Sequence, residues 1–287
     1  MASSKRVLVC DLDNTLYDWV AYFVPSFYSM IDVAVEIMEC DREQLLDDMR
    51  DVHIQHQDAE HPFALLETGT VKRIYNGLPV REVAHILDPA FHTFNAVRQR
   101  NLKLHENVIE TLDILSASNI ILVAHTDSTL HSAMDRLCRL GLLKYFSRVY
   151  CRERGESMHP DPASANRRLE ALPSGFVHEL SHHQGKPNSD VLLEICAVEM
   201  VTPLEAAYVG DSVAHDVLMA KRAGVFAIWA AYGAYHNRNL YDALVRVSHW
   251  TPEKREQEER FKKEAALVNP DYVANRSFAE VLPALGR

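Results

Sequence analysis

The chain has 287 residues, 40 acidic against 30 basic side chains, a net charge of −10 and 47% apolar residues. That length holds one large domain or two modest ones with enough apolar side chains for real cores, and its 10 glycines, about half the usual ~7% share, argue against a fibrous or glycine-looped architecture. The acidic balance repels nucleic acid and anionic membrane surfaces at long range, and the sequence offers no basic stripe to bind either one.

Taken in chain order, Met1 to Lys5 lead straight into the short apolar run VLVC at 7–10, without the pattern of a signal sequence. No apolar run approaches the ~18 residues of a membrane span. Runs of the same kind recur as IILVA at 120–124, AAYV at 206–209 and VFAIW at 225–229, each bounded by polar or turn residues and each predicted to be a strand buried on both faces. Helical periods lie between them. Val108, Leu112 and Leu115 form one, Leu130, Met134 and Leu137 the next, and Leu192, Ile195 and Val198 a third, with Asn188 and Ser189 as its caps. Strand and helix alternate, so the fold class is α/β, a Rossmann-like parallel sheet covered by helices.

Three stretches break the rhythm. Residues 17–103 carry helical patterns at Phe27 to Met38, Arg42 to His56 and Val80 to Leu87 and no convincing strand, which predicts an all-helical insert between the first two strands. Its aromatics Trp19, Tyr22, Phe23, Phe27 and Tyr28 are placed to contact a nucleobase or an aromatic leaving group, but at helical spacing they read first as the insert's own core. Residues 152–185, with Gly155, Pro160, Pro162, Pro173 and Gly175, read as a loop-rich insertion with one short helix over Arg167 to Leu172. The run TPEKREQEERFKKEAAL from Thr251 interleaves Glu and Lys at helical spacing and predicts a solvated helix over 251–266. Five scattered cysteines (Cys10, Cys40, Cys138, Cys151, Cys196) with no CxxC pair read as structural thiols of a reduced cytoplasmic protein. The histidine groups His53, His56, His61 and His178, His182, His183 find no acidic or cysteine partner at ligand spacing and read as hydrated loop side chains.

The chemistry is concentrated in VLVCDLDNTLYD. A buried strand that ends in Asp11 and Asp13 places two carboxylates at the carboxyl edge of a parallel sheet, where ligands bind in open α/β folds. Carboxylates held so close repel one another unless a cation neutralises them, and hard oxygen donors favour Mg²⁺. The strand AAYV then runs into GDSVAHD, with Asp211 at its end and Asp216 five residues later, so two strand ends of one sheet can converge on one metal.

These motifs resemble those of the haloacid dehalogenase-like hydrolase superfamily, in its phosphatase branch. Asp11, Asp13 and Thr15 stand as its DxDxT motif, Thr126 in ILVAHTDS as the second, Lys186 and Pro187 in GKPNSD as the third, and GDSVAHD followed by AKRAG as the fourth. The final NPDYVANRSFAEVLPAL is similar to the family's closing strand and helix. The resemblance implies a core of residues 1–16 and 104–287, a mobile helical cap of 17–103 closing over the site, and a nucleophile, Asp11, that forms an aspartyl-phosphate. It assigns Asp13 as general acid and base, Thr126 and Lys186 as phosphate ligands, and Asp11, Asp13, Asp211 and Asp216 as the Mg²⁺ set. The sequence departs from the family pattern at Asp127, where Asn is common, so Asp127 is not assigned to phosphate. The implied reaction is Mg²⁺-dependent hydrolysis of a small phosphorylated metabolite of the nucleoside monophosphate or sugar phosphate class. Two alternatives stand beside it. One is a 2-haloacid dehalogenase, which needs no acid at position 13, and the other is a non-catalytic interaction protein that keeps the fold.

Overall fold

The computed structural model describes residues 4–153 and 172–287. Its centre is a sheet of seven parallel strands in the order β4-β3-β2-β1-β5-β6-β7. The strands are β1 Val7–Cys10, β2 Ile121–Thr129, β3 Arg148–Arg152, β4 Val177–Leu180, β5 Ala206–Gly210, β6 Phe226–Ala230 and β7 Tyr272–Ala274. All four residues of β1 and all five of β5 are buried, the pattern of strands covered by helices on both faces. Val9 lies between Val123 of β2 and Tyr208 of β5. The strand order runs one way from β1 through β2 and the other way through β5, so the carboxyl ends of β1 and β5 form a topological switch point.

The predicted strands at 7–10, 120–124, 206–209 and 225–229 are present, and β2 extends five residues past the predicted end. β3 was not predicted, because its RVYCR sequence carries an arginine at each end. β4 corrects the loop reading of 152–185. Val177–Leu180 pairs with β3 as an edge strand, whose alternating exposure shows no continuous apolar run. The short helix expected over Arg167 to Leu172 lies outside the described residues apart from Leu172, which is not helical.

Between β1 and β2 the chain forms seven helices and no strand of the sheet, at Trp19–Met38, Arg42–His56, Ala64–Glu67, Gly69–Ile74, Val80–Ile86, Asp88–Asn101 and Val108–Ala117, of which the first six make up the insert. The first starts earlier than its apolar period suggested, because Asp18 caps it by accepting from the Ala21 amide at 2.8 Å. By length and composition this helix is apolar enough to cross a membrane, contrary to the sequence reading, but half of that stretch is buried inside the protein. Tyr22, Phe23 and Phe27 are at most 2% exposed, the core of the insert as expected. That core has an unexpected member. Helix Arg238–Val247, between β6 and β7, adds Leu244 and Val247 to it. Tyr28 donates to the Ala243 carbonyl at 2.9 Å, and the buried His53 ring bonds the Val247 carbonyl through Nδ1 at 2.7 Å.

The charged helix is present as Pro252–Ala265, but it is not simply solvated. Lys254, Glu258, Phe261 and Ala265 form its less exposed stripe, and Glu258 accepts a 2.7 Å bond from His215 of the turn after β5. Two of the four stripe residues are charged, which hid the stripe from hydropathy periodicity.

Candidate active site

Asp11 follows β1 directly and is 5% exposed, so its carboxylate needs partners. Thr15 donates to Oδ2 at 2.8 Å, and the Lys186 ammonium donates to Oδ1 at 2.5 Å. Thr15 is itself held in place, since its carbonyl accepts from the Tyr232 hydroxyl at 2.7 Å. Lys186 also donates to Asp216 Oδ1 at 2.8 Å. Asp216 accepts in addition from the Tyr208 hydroxyl at 3.2 Å and from the Ser212 amide at 3.0 Å. The GDSVAHD segment makes this possible by folding into a π-helical turn over Val213–Val217, which swings Asp216 back onto the end of β5. Gly210 is required there, because a Cβ at that position would sit 2.3 Å from Asp216 Cγ.

Carboxylate oxygens of Asp11, Asp211 and Asp216 all lie within 4.8 Å of one another. Burial raises the Asp11 carboxyl to about 7, opposed by Lys186 and reinforced by Asp216. Asp211 is held well above the usual carboxylate range by burial first and by Asp11 and Asp216 next. Burial disfavours the Lys186 charge, but Asp11 and Asp216 outweigh it and hold the ammonium well above its ordinary value. One ammonium does not balance three carboxylates. This all-oxygen donor set, short of positive charge, fits a hard divalent cation such as Mg²⁺.

The other predicted residues lie along the neighbouring strand ends. Thr126 is 1% exposed in β2, and its hydroxyl oxygen accepts from the Ser128 amide at 3.1 Å. Asp127 accepts from the Lys186 backbone amide at 3.2 Å, which gives the family departure a local partner. Asp13 is not part of the Asp11, Asp211, Asp216 cluster through its side chain. Its carboxylate accepts from Ser128 Oγ at 2.5 Å and from Arg136 Nη2 at 3.3 Å.

Arg136 is the residue that the motif reading missed. It is fully buried on helix Leu130–Arg139, donates through Nη1 to both oxygens of Glu60 at 2.7 Å, and donates through Nε to the Tyr17 hydroxyl at 3.0 Å. The Glu60 carboxylate belongs to the helical insert, so a single guanidinium joins the insert to Asp13. A signal was available in the sequence. Arg136 stands three residues after the buried Ala133 and beside Leu137, a charge on the helix's apolar stripe. Gly233 was missed as well. A Cβ there would meet the Asn14 carbonyl oxygen at 1.9 Å and Asp211 Cβ at 3.3 Å, so only glycine lets the segment after β6 close against the site.

Buried carboxylates and a lysine at the switch point of a parallel sheet put the candidate active site where ligands bind in open α/β enzymes. A family model for haloacid dehalogenase-like hydrolases matches residues 5–224, and one for HAD-hydrolase-like proteins matches 183–276. The chain belongs to the haloacid dehalogenase-like hydrolases. It is 27% identical over 229 residues to a phosphoglycolate phosphatase of Agrobacterium fabrum, spanning 78% of this chain and 80% of that one. A second match, 42% identical over 59 residues, is to a probable phosphoglycolate phosphatase of Pseudomonas putida, of which it spans 23%. Among solved structures the fold is shared with a 2-haloacid dehalogenase from Pseudomonas syringae, at TM-score 0.57, 20% identity and coverage of 98% and 97%. It is shared also with a HAD phosphatase from Thermococcus onnurineus, at TM-score 0.54, 17% identity and coverage of 98% of each chain. Within the family, the phosphoglycolate phosphatase relatives place this enzyme in the phosphatase branch.

Proposed function

We propose that this enzyme is a Mg²⁺-dependent phosphomonoester hydrolase acting on a small phosphorylated metabolite in the cytoplasm. The observation that carries this reading is the environment of Asp11. It is a buried carboxylate oriented by Thr15 and Lys186, with Asp211 and Asp216 beside it and Asp13 two residues on. Asp11 attacks phosphorus and the bond to the leaving oxygen breaks, with Asp13 supplying the proton that oxygen needs. Asp13 then takes a proton from the water that attacks the aspartyl-phosphate, so inorganic phosphate leaves and both carboxyls return to their starting states. Thr126 and Lys186 bind the equatorial oxygens, since phosphoryl transfer asks mainly for positioning and neutralised charge. Asp11, the Asp13 backbone carbonyl and Asp211 would hold Mg²⁺, with Asp216 joining through water or from behind these ligands, and the ion would supply charge neutralisation.

The substrate reading stays with nucleoside monophosphates and sugar phosphates. The phosphoglycolate phosphatases named above add a small phosphorylated acid to the panel. A helical cap over 17–103 suits compact substrates and argues against phosphoproteins, and the acidic surface argues against nucleic acid and membranes as partners. The assay is phosphate release from such a panel with and without Mg²⁺, beside a chloride-release control on 2-haloacids. Mg²⁺-dependent phosphate release that vanishes in Asp11→Asn is expected. Chloride release, or no turnover on any member, would overturn the reading.

A further inference from the structure

The histidines of the insert do not lie in hydrated loops. His61 is 7% exposed, and Glu67, distant from the histidines in helical register, completes a group that spacing alone did not show. His56 Nε2 and His61 Nε2 each lie 2.7 Å from a different oxygen of the Glu67 carboxylate. The two imidazoles are stacked, with centroids 3.5 Å apart and planes within 5°. Among the described residues, only this group and the Asp11 group bring three metal-ligating side chains within 4.8 Å of one another. The two differ in chemistry. The active-site group is all carboxylate, whereas two imidazoles and one carboxylate form the donor set that zinc and its first-row neighbours prefer over Mg²⁺. Partial burial pushes the Glu67 carboxyl up, but bonds from His56 and His61 hold it below the usual range, as an anion able to ligate.

We propose that His56, His61 and Glu67 form a second metal site, selective for a borderline transition cation such as Zn²⁺ and separate from the active-site carboxylates. In the metal-free protein each imidazole meets its own Glu67 oxygen through Nε2, and a dication would bind the same four atoms once each ring carries its proton on Nδ1 and turns the Nε2 lone pair inward. Tetrahedral zinc with bonds of about 2.0–2.1 Å sets its ligand atoms about 3.3 Å apart, so the 2.7 Å contacts widen on binding. Imidazole ligates in its ring plane, so the stack opens as well. His56 turns, because its side chain is 23% exposed against 4% for His61. Water completes the coordination from the open side.

The site ties three points of the insert together. His56 ends helix Arg42–His56, Glu67 ends helix Ala64–Glu67, and His61 lies in the loop between them. That loop carries Glu60, the partner of Arg136, and its Gln57 carbonyl accepts from Arg152 at 3.2 Å. A bound cation therefore fastens the loop through which the insert reaches the sheet edge.

The test is zinc titration by calorimetry of chelator-treated full-length protein, with Mg²⁺ present in excess to occupy the active-site carboxylates. Cobalt serves as a spectroscopic probe, because four-coordinate nitrogen and oxygen sites absorb visible light far more strongly than octahedral oxygen sites. One equivalent of zinc, and intense cobalt absorption, are expected. Both are lost or weakened by more than about 100-fold in His56→Gln and Glu67→Gln, and both persist in Asp211→Asn. His56→Gln alters a partly exposed side chain, and its thermal unfolding without metal is expected to match that of the parent. No zinc binding, binding unchanged in both variants, or binding lost only in Asp211→Asn would overturn the proposal.

Discussion

The sheet edge and the helical insert hold their polar groups in different ways. At the edge, Asp11, Thr126 and Asp211 stand on or just beyond buried strands brought together by pairing of β1 with β2 and β5, and Lys186 reaches them from the loop after β4. In the insert, polar partners meet through packing of helices and loops, as Glu60 with Arg136 across 76 residues and His53 with the Val247 carbonyl across 194. The edge is built for chemistry that strand ends impose. The insert is built from pairings that fix where its loop and helices sit, and Arg136 is where the two meet.

The strongest break in the comparison is at the edge. Asp11→Asn is expected to lower phosphate release by more than about a thousandfold, with thermal unfolding unchanged or raised, because it removes one of the crowded carboxylates. Arg136→Met breaks the junction. It leaves Glu60 buried and unpaired, and chemical denaturation is expected to show a loss of about 3–5 kcal/mol. The double variant Glu60→Gln/Arg136→Met should recover part of that loss, and no recovery would mean that the pair is not its source.

His53 tests the insert alone. Burial lowers its imidazole to about 4 from 6.5, while its bond to the Val247 carbonyl opposes the shift. The unfolded chain therefore binds the proton first as pH falls, and the stabilisation present above about pH 6.5 is lost progressively toward pH 4. His53→Gln should flatten the fall in unfolding free energy across that window, and an unchanged slope would count against the assignment. Gly210→Ala carries the smallest expected effect, about 1–3 kcal/mol, because Asp216 must move away from the new methyl group. Its signature is a raised Mg²⁺ requirement with the substrate dependence preserved.

Legibility in the sequence follows the same division. Asp11, Asp211 and Asp216 could be placed together because each follows a short apolar run whose strand character is local, and the parallel sheet then dictates one common edge. Strands β3 and β4 were not legible, since arginines flank the first and the second is an edge with no continuous apolar face. Nor was the Glu60–Arg136 pair, because a buried ion pair between distant segments leaves no periodic trace beyond one charge on an apolar stripe. His56, His61 and Glu67 were separated by the same blindness. Their spacing fits no single helix or turn, and only the fold of residues 57–63 closes the group.

The proposed mechanism makes Asp11 a covalent nucleophile. Rapid acid quench of the enzyme turning over a radiolabelled phosphomonoester should trap label on the protein that hydroxylamine releases, as expected of an acyl phosphate, and the Asp11→Asn variant should trap none. Phosphate release without any trapped label in the wild type, or equal trapping in Asp11→Asn, would contradict it.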